Sequence, residues 1–255
     1  MKGDLESMFD IHAHVLPNIL HDDGPKHLEK SLEMIERARK DGVSAIVATP
    51  HMMIPVENRK EEIKKAIQSL GELPIPIYIG SEIFADDIVL ANDNSLIPLG
   101  DSNYLLIEFP RAELPQHVDE IFFVLQTKGF ECIFAHPERN GSIINDPNLL
   151  VELIRKGVLC QVNAGSILGS YGKTCQKTAQ ILLEHNMVHF IASDMHSPNR
   201  LYYSLKEAVA QAQEYTDSAS DMVLKNPQTI LNNGFLEVSE PKQYKKRGFW
   251  FFGRR

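Results

Sequence analysis

Cysteine is scarce in this 255-residue sequence, and its placement excludes more than its number does. Cys132, Cys160 and Cys175 are an odd count at spacings unlike those of zinc ligands, so neither a disulfide framework nor a structural zinc site is expected. Reduced, mostly buried thiols in a cytoplasmic protein fit better. A thiolate that attacks phosphate needs an arginine six positions further on, in a phosphate-cradling loop. Cys132 precedes Arg139 by seven, and Ser166 and Ile181 stand six after Cys160 and Cys175. That chemistry is ruled out. No apolar run approaches the roughly 20 residues that span a bilayer, and no signal-peptide pattern opens the chain. Gly-rich nucleotide loops are absent too. Acids are missing from residues 242–255, where six cations gather, so the overall charge of −8 leaves −14 on the rest. An acidic body argues against nucleic acid as the main ligand. The polar residues 1–7 form a leader with no assigned role.

Short apolar runs alternate with amphipathic ones along the chain. Phe9–His14, Ala45–Thr49, Ile75–Gly80, Tyr104–Glu108, Cys132–His136, Leu159–Asn163 and Val188–Ser193 read as strands. They are continuous rather than alternating in hydrophobicity, as parallel strands covered on both faces are. Helical periodicity marks Lys26–Lys40, Asn58–Leu70, Gln116–Lys128, Pro147–Lys156, Thr174–His185, Tyr202–Tyr215 and Pro227–Asn232. Leu28, Leu32, Ile35 and Ala38 form the apolar face of the first, and Gly129 and Gly157 stop two others. Seven β-α repeats fit either a parallel barrel or a doubly wound sheet.

The polar residues at the strand ends decide between them. Asp10-Ile11-His12-Ala13-His14 comes first, then His51 in Ala-Thr-Pro-His, Glu82 in Gly-Ser-Glu-Ile and Glu108 in Ile-Glu-Phe-Pro. His136 follows in Ala-His-Pro-Glu-Arg, and Asp194 with His196 in Ala-Ser-Asp-Met-His. A barrel collects such groups at its C-terminal mouth, whereas an open sheet focuses its site at one switch point. The expectation is therefore an α/β, single-domain, distorted (β/α)7 barrel over residues 8–240, with a multinuclear metal site. His-x-His alone is a weak signal. Burying so many His, Asp and Glu side chains together without metal would be costly.

This ordered set of motifs, with Asp-Asp-Gly at 22–24, resembles the PHP (polymerase and histidinol phosphatase) superfamily of metal-dependent phosphoesterases. It is similar, more narrowly, to the capsule-type CpsB/CapC bacterial tyrosine-protein phosphatases, from about residue 8 to the end. Ala-His-Pro-Glu-Arg and Ile-Glu-Phe-Pro carry the narrower likeness. The resemblance implies three divalent ions. His12, His14, Glu82 and Asp194 would hold the first. Glu82 would bridge to a second that also takes Glu108 and His136, and His51, His196 and Asp23 (or Asp22) would hold the third. Two extra residues before that turn, including His21, blur the choice there, and His21 itself could compete as a ligand. The other histidines (His27, His117, His185, His189) read as structural or exposed.

Arg139 and Arg200 are assigned to substrate phosphate by the resemblance, and Glu108 and His196 count as catalytic as well as ligating. Guanidinium forks match phosphate geometry. The imidazole and carboxylate donors suit manganese, with iron or zinc as alternatives. Water acidified between such ions can supply hydroxide as nucleophile. Asn163-Ala164-Gly165-Ser166 could line the mouth or form a simple turn.

The implied function is a cytoplasmic phosphotyrosine phosphatase whose substrate is a bacterial tyrosine kinase tail controlling capsule or exopolysaccharide synthesis. A small-molecule phosphatase such as histidinol-phosphatase, and a binding module that has lost turnover, are the alternatives. In the tail 241–255, cations flank Phe249, Trp250, Phe251 and Phe252. Packing of these aromatics on the barrel's outer helices, or a peripheral contact with anionic lipid, would account for them.

Overall fold

The computed structural model describes residues 7–198 and 204–245. Nine parallel strand segments lie in it: β1 (Met8–Ala13), β2 (Val43–Ala48), β3 (His51–Met52), β4 (Ile77–Ile79), β5 (Glu82–Phe84), β6 (Tyr104–Glu108), β7 (Glu131–Ala135), β8 (Leu159–Asn163) and β9 (Phe190–Ala192). They make seven staves. β2 and β3 are one run broken at Thr49-Pro50, where proline has no N–H for the ladder. β4 and β5 are another, broken at Gly80-Ser81. The pairing order is β1-β2-β4 continued by β3-β5-β6-β7-β8-β9. Ala13 makes a parallel bridge with Met195, and the Asp194 and His14 amides donate to His12 O (2.8 Å) and Met195 O (2.9 Å), so the last stave meets the first.

A buried carboxylate reinforces that junction. Asp10 accepts from the Ser193 amide at 3.0 Å and from the Ser193 hydroxyl. Burial pushes its carboxyl up to about 6, against the pull of these bonds.

Helices cover the outside: α1 (Leu28–Lys40), α2 (Arg59–Ser69), α3 (Asp87–Ala91), α4 (Val118–Thr127), α5 (Gly141–Asn145), α6 (Leu149–Arg155), α7 (Ala164–Ile167), α8 (Lys173–Glu184), α9 (Leu205–Ala212) and α10 (Lys225–Leu231). α1 packs on β2, α2 on β4, α4 on β7 and α9 on β9. The predicted face of α1 is rotated in the fold. Ser31, Met34, Ile35 and Ala38 are buried and Leu28 is exposed. The predicted strand Ile75–Gly80 shortens to β4 and resumes as β5. Of the predicted helix Tyr202–Tyr215, residues 202 and 203 lie outside the described residues.

The inward faces of the strands change character along their length. Tyr104, Leu106, Ile133, Ala135, Leu159, Phe190 and Ala192 form an inner apolar cluster. The next inward positions are polar: Glu108 after Leu106, Gln161 and Asn163 after Leu159, Asp194 after Ala192. Period-two alternation therefore carries a dry core at one end of the barrel into a polar mouth at the C-terminal end.

His189, just before β9, is buried. Its Nδ1 accepts from the Cys160 amide at 2.9 Å, and burial lowers its pKa to about 4. The folded protein thus keeps it neutral while the unfolded chain protonates near 6.5. Its contribution, about 3 kcal/mol, is complete above pH 6.5 and is lost as pH falls towards 4. Urea unfolding at pH 7 and pH 5 should show a smaller acid loss in His189→Gln than in wild type.

Candidate metal centre

Three groups of ligand-type side chains meet at the polar mouth: His12, His14, Glu82 and Asp194; His51, Glu82 and Glu108; and His14, Asp23, His51 and His196. They come from the ends of β1, β3, β5 and β6, the turn before α1, and the segment after β9. Two residues at this mouth hold non-glycine backbone in the left-handed region, Asp194 of the first group at φ 52° and the neighbouring His136 at φ 38°. Such strain persists only where the surroundings enforce it, and it clusters at functional sites.

Glu82 is the hub. Its Oε2 lies 3.2 Å from His12 Nε2, 3.2 Å from His14 Nε2 and 3.0 Å from His51 Nδ1. Its Oε1 lies 2.8 Å from His136 Nε2. Both Glu82 Oε2 and His51 Nδ1 are buried with no aligned hydrogen bond, which suits donors gathered for a cation. Asp194 Oδ1 stands 3.3 Å from His12 Nε2 and 3.6 Å from His196 Nδ1. Asp23 Oδ1 reaches His196 Nε2 at 3.0 Å and His51 Nε2 at 3.4 Å.

The expected residues are thus brought together, with shifts in grouping. His51 faces two groups, one through each ring nitrogen. His14 adjoins the third group as well as the first. His136 approaches Glu82 and, at 3.7 Å, Glu108, without joining a three-way group.

The two adjacent aspartates have different partners. Asp22 is committed elsewhere: its Oδ1 bonds His14 Nδ1 at 2.8 Å and the His51 amide at 3.0 Å, and its Oδ2 takes the Gly24 amide. Asp23 keeps a side chain 72% exposed and aimed at two imidazoles. A Cβ at residue 24 would stand 2.7 Å from Asp22 Oδ2 and 2.8 Å from His14 O, so the turn requires its glycine. His21 is exposed and joins none of the groups.

The field of the site demands positive charge. Burial pushes the carboxyls of Glu82 and Asp194 up, yet the surrounding imidazoles, His12 foremost, hold both below the usual range. Burial opposes protonation of His14, but Asp22 and Glu82 raise its pKa well above normal, and Asp23 and Glu82 raise that of His51 to about 10. Glu108 is raised by burial and by Glu82. The donor set, oxygen and imidazole nitrogen without thiolate, fits divalent manganese, iron or zinc. The thiols take no part. Burial pushes Cys132 up to about 12 and raises Cys160 and Cys175.

Several residues that sequence reasoning left unassigned support the mouth. Arg59, fully buried, donates to Leu20 O and Glu62 at 2.8 Å each and ties α2 to the turn that bears Asp23. Glu138 Oε1 accepts from the Asn163 amide at 3.1 Å and from the Ser166 hydroxyl at 2.6 Å, which makes Asn163–Ser166 a braced corner. Asn140 caps α5 and donates to Pro110 O at 2.8 Å, linking the Ile-Glu-Phe-Pro and Ala-His-Pro-Glu-Arg motifs. Arg139 Nη1 donates to Asp194 Oδ2 at 2.9 Å, and its guanidinium lies 4.3 Å over the Tyr171 ring. Arg200 lies outside the described residues.

Gly141 donates to Arg111 O at 2.8 Å, and a Cβ there would sit 2.1 Å from Ala112 O. Gly141→Ala should push the two motifs apart, at a cost of about 1–3 kcal/mol. A lowered melting temperature with reduced metal occupancy is the expected result.

The capsular polysaccharide synthesis, CpsB/CapC, family model matches residues 8–232. The chain belongs to this family. It is 36% identical to CapC of Staphylococcus aureus, over 96% of this chain and 99% of that protein. It is 32% identical to the tyrosine-protein phosphatase YwqE of Bacillus subtilis, over 96% of this chain and all of that one. Its fold matches a solved structure from the metal-dependent tyrosine phosphatases YwqE of B. subtilis and CpsB of Streptococcus pneumoniae, with TM-score 0.86 and 32% identity over 94% of this chain and 100% of that one. A phosphotriesterase homology protein from Escherichia coli shares the fold alone, with TM-score 0.59 at 12% identity over 89% of this chain and 99% of that one.

Proposed function

We propose that this CpsB/CapC family member is a metal-dependent protein-tyrosine phosphatase. The observation that carries the proposal is the convergence of three ligand groups at one mouth, two of them sharing Glu82, with Arg139 attached to Asp194. The proposed ligands are His12, His14, Glu82 and Asp194 for one divalent ion; Glu82, Glu108 and His136 for a second; and His51, His196 and Asp23 for a third. Manganese is the first choice, iron or zinc the alternatives. Such ions, when bound, supply Lewis acidity and bring the pKa of water towards neutrality.

The chain's own residues do the rest. Arg139, and by motif Arg200, would bind the phosphate oxygens. A cleft of about 560 Å³ beside the ligands is lined by Asp23, His51, Met53, Phe84, Pro110 and Arg111. Met53, Phe84 and Pro110 give it an apolar side suited to a phenyl ring. Phenol, with a pKa of about 10, leaves with less protonation than an aliphatic alcohol.

The proposed substrate is the phosphorylated tyrosine-rich tail of a bacterial kinase in capsule or exopolysaccharide synthesis, and the proposed location is the cytoplasm. Among the described residues no helix is long and apolar enough to cross a membrane. Purified protein with Mn²⁺ should hydrolyse phosphotyrosine peptides much faster than histidinol phosphate, stop with a chelator and survive thiol alkylation. No phosphotyrosine turnover with any divalent metal would sink the proposal.

Residues 8–240 are proposed as the catalytic barrel and 241–255 as a tail in contact with anionic lipid. The start of the tail is anchored on the barrel: the Lys242 amide donates to His185 O at 2.8 Å, and the Tyr244 amide to Asn148 Oδ1 at 2.8 Å. Residues 246–255, including the four aromatics, lie outside the described residues. Each cation near an anionic surface contributes about 1 kcal/mol. Deleting 246–255 should reduce cosedimentation with anionic liposomes. Unchanged binding would rule the contact out.

A further inference from the structure

Two buried amides on the inward face of β8, Gln161 and Asn163, stand between His12 and Asp194 and have no role in the assignments above. Their contacts form one unbroken line. His12 Nδ1 meets Gln161 Oε1 at 2.8 Å, Gln161 Nε2 meets Asn163 Oδ1 at 2.8 Å, and Asn163 Nδ2 meets Asp194 Oδ2 at 2.6 Å. Its polarity follows from its end. An ionised carboxylate only accepts, so Asn163 must turn its NH₂ to Asp194 and its oxygen to Gln161. Gln161 must then donate to Asn163 and accept from His12. His12 must carry a proton on Nδ1, and its Nε2 is the atom left facing Glu82 and Asp194. Turning either amide would set two donors or two acceptors against each other in a buried place, at a cost of about 1–3 kcal/mol for each unmade bond.

The other end is fixed in the same way. Asp194 Oδ2 receives both Asn163 and Arg139, which leaves Oδ1, 3.3 Å from His12 Nε2, for the cluster. The backbone amide of Asn163 is itself held by Glu138, so the line hangs from a braced corner.

We propose that Gln161 and Asn163 are positioning residues of the metal centre, a one-directional amide relay that presents His12 Nε2 and Asp194 Oδ1 to the same cation. The proposal rests on the metal-centre reading above. Partners that orient a ligating histidine are worth 10–100-fold in metal affinity as a rule of thumb. Two residues that act as one line, moreover, are not additive.

The test is Mn²⁺ and Zn²⁺ affinity, measured by chelator competition, in wild type, Gln161→Met, Asn163→Leu and the double variant, with unfolding midpoints taken without metal. Each single change is expected to weaken binding about 10–100-fold. The double variant should be little worse than the weaker single one, because either change cuts the same line. Gln161→Glu retains an acceptor for His12 and lacks the donor for Asn163. It should recover part of the loss, and it carries the test if Gln161→Met does not fold. Wild-type affinity in either single variant, losses that multiply in the double, or a lower midpoint with unchanged affinity would each overturn the relay and leave the metal centre standing. A wild-type protein that binds no divalent ion overturns both.

Discussion

Glu82→Ala is expected to remove bound metal and reduce turnover on the order of 10³-fold or more, equivalent to about 4 kcal/mol of lost transition-state stabilisation. The reason is its place in the cluster. One oxygen lies 3.0–3.2 Å from three imidazole nitrogens and the other 2.8 Å from a fourth. Among the described residues no other carboxylate meets four of the proposed imidazole ligands. Without it the imidazoles of His12, His14, His51 and His136 lose the carboxylate that attracts cations to them, and the two proposed ions that share Glu82 lose a ligand at once. The fold should survive, because the strands on either side are held by backbone pairing and by the apolar core. Elemental analysis, circular dichroism and phosphotyrosine turnover on one preparation separate these effects. Glu82→Gln keeps the shape and one acceptor, and should fall between wild type and alanine. Retention of metal and turnover within tenfold in Glu82→Ala would remove the hub role.

The residues that gather at the mouth were legible in the sequence because the signal was local. Tyr104–Glu108 and Leu159–Asn163 match their strands to the residue, each being a buried run with a polar group at its end. The same alternation that puts Leu106 in the core puts Glu108 at the mouth. Elsewhere locality failed. The short helices α3, α5 and α7 hold too few residues for a 3.6-residue period to show. Asp22 and Asp23 are chemically alike and adjacent, and only the turn reveals that one orients His14 while the other faces His51 and His196. Gln161, Arg59 and Glu138 could not be read from their neighbours. Each acts on residues distant in sequence: Gln161 on His12, Arg59 on Leu20, Glu138 on Asn163 and Ser166. The α1 face rotated because Ser31 and Met34, rather than Leu28, meet the barrel.

Arg139→Ala should separate substrate binding from metal binding. In the structure the guanidinium is held from two sides, by Asp194 Oδ2 at 2.9 Å and by the Tyr171 ring, which leaves further N–H donors for a phosphate at the mouth. Burial works against its charge, and Asp194 more than restores it, so it stays cationic. A fixed, largely desolvated cation beside reacting phosphate stabilises charge that grows in the transition state, and losing one such donor costs about 10²–10³ in rate. Metal occupancy should change little, because Asp194 keeps the Asn163 amide on the same oxygen. The expected result is near-normal metal content with kcat/KM reduced about 10²–10³-fold, divided between a higher KM and a lower kcat. Arg139→Lys should recover little, since an ammonium cannot reproduce the planar fork or the stacking on Tyr171. Loss of metal in Arg139→Ala would instead show that the arginine serves to position Asp194, and the role in phosphate binding would fall with it.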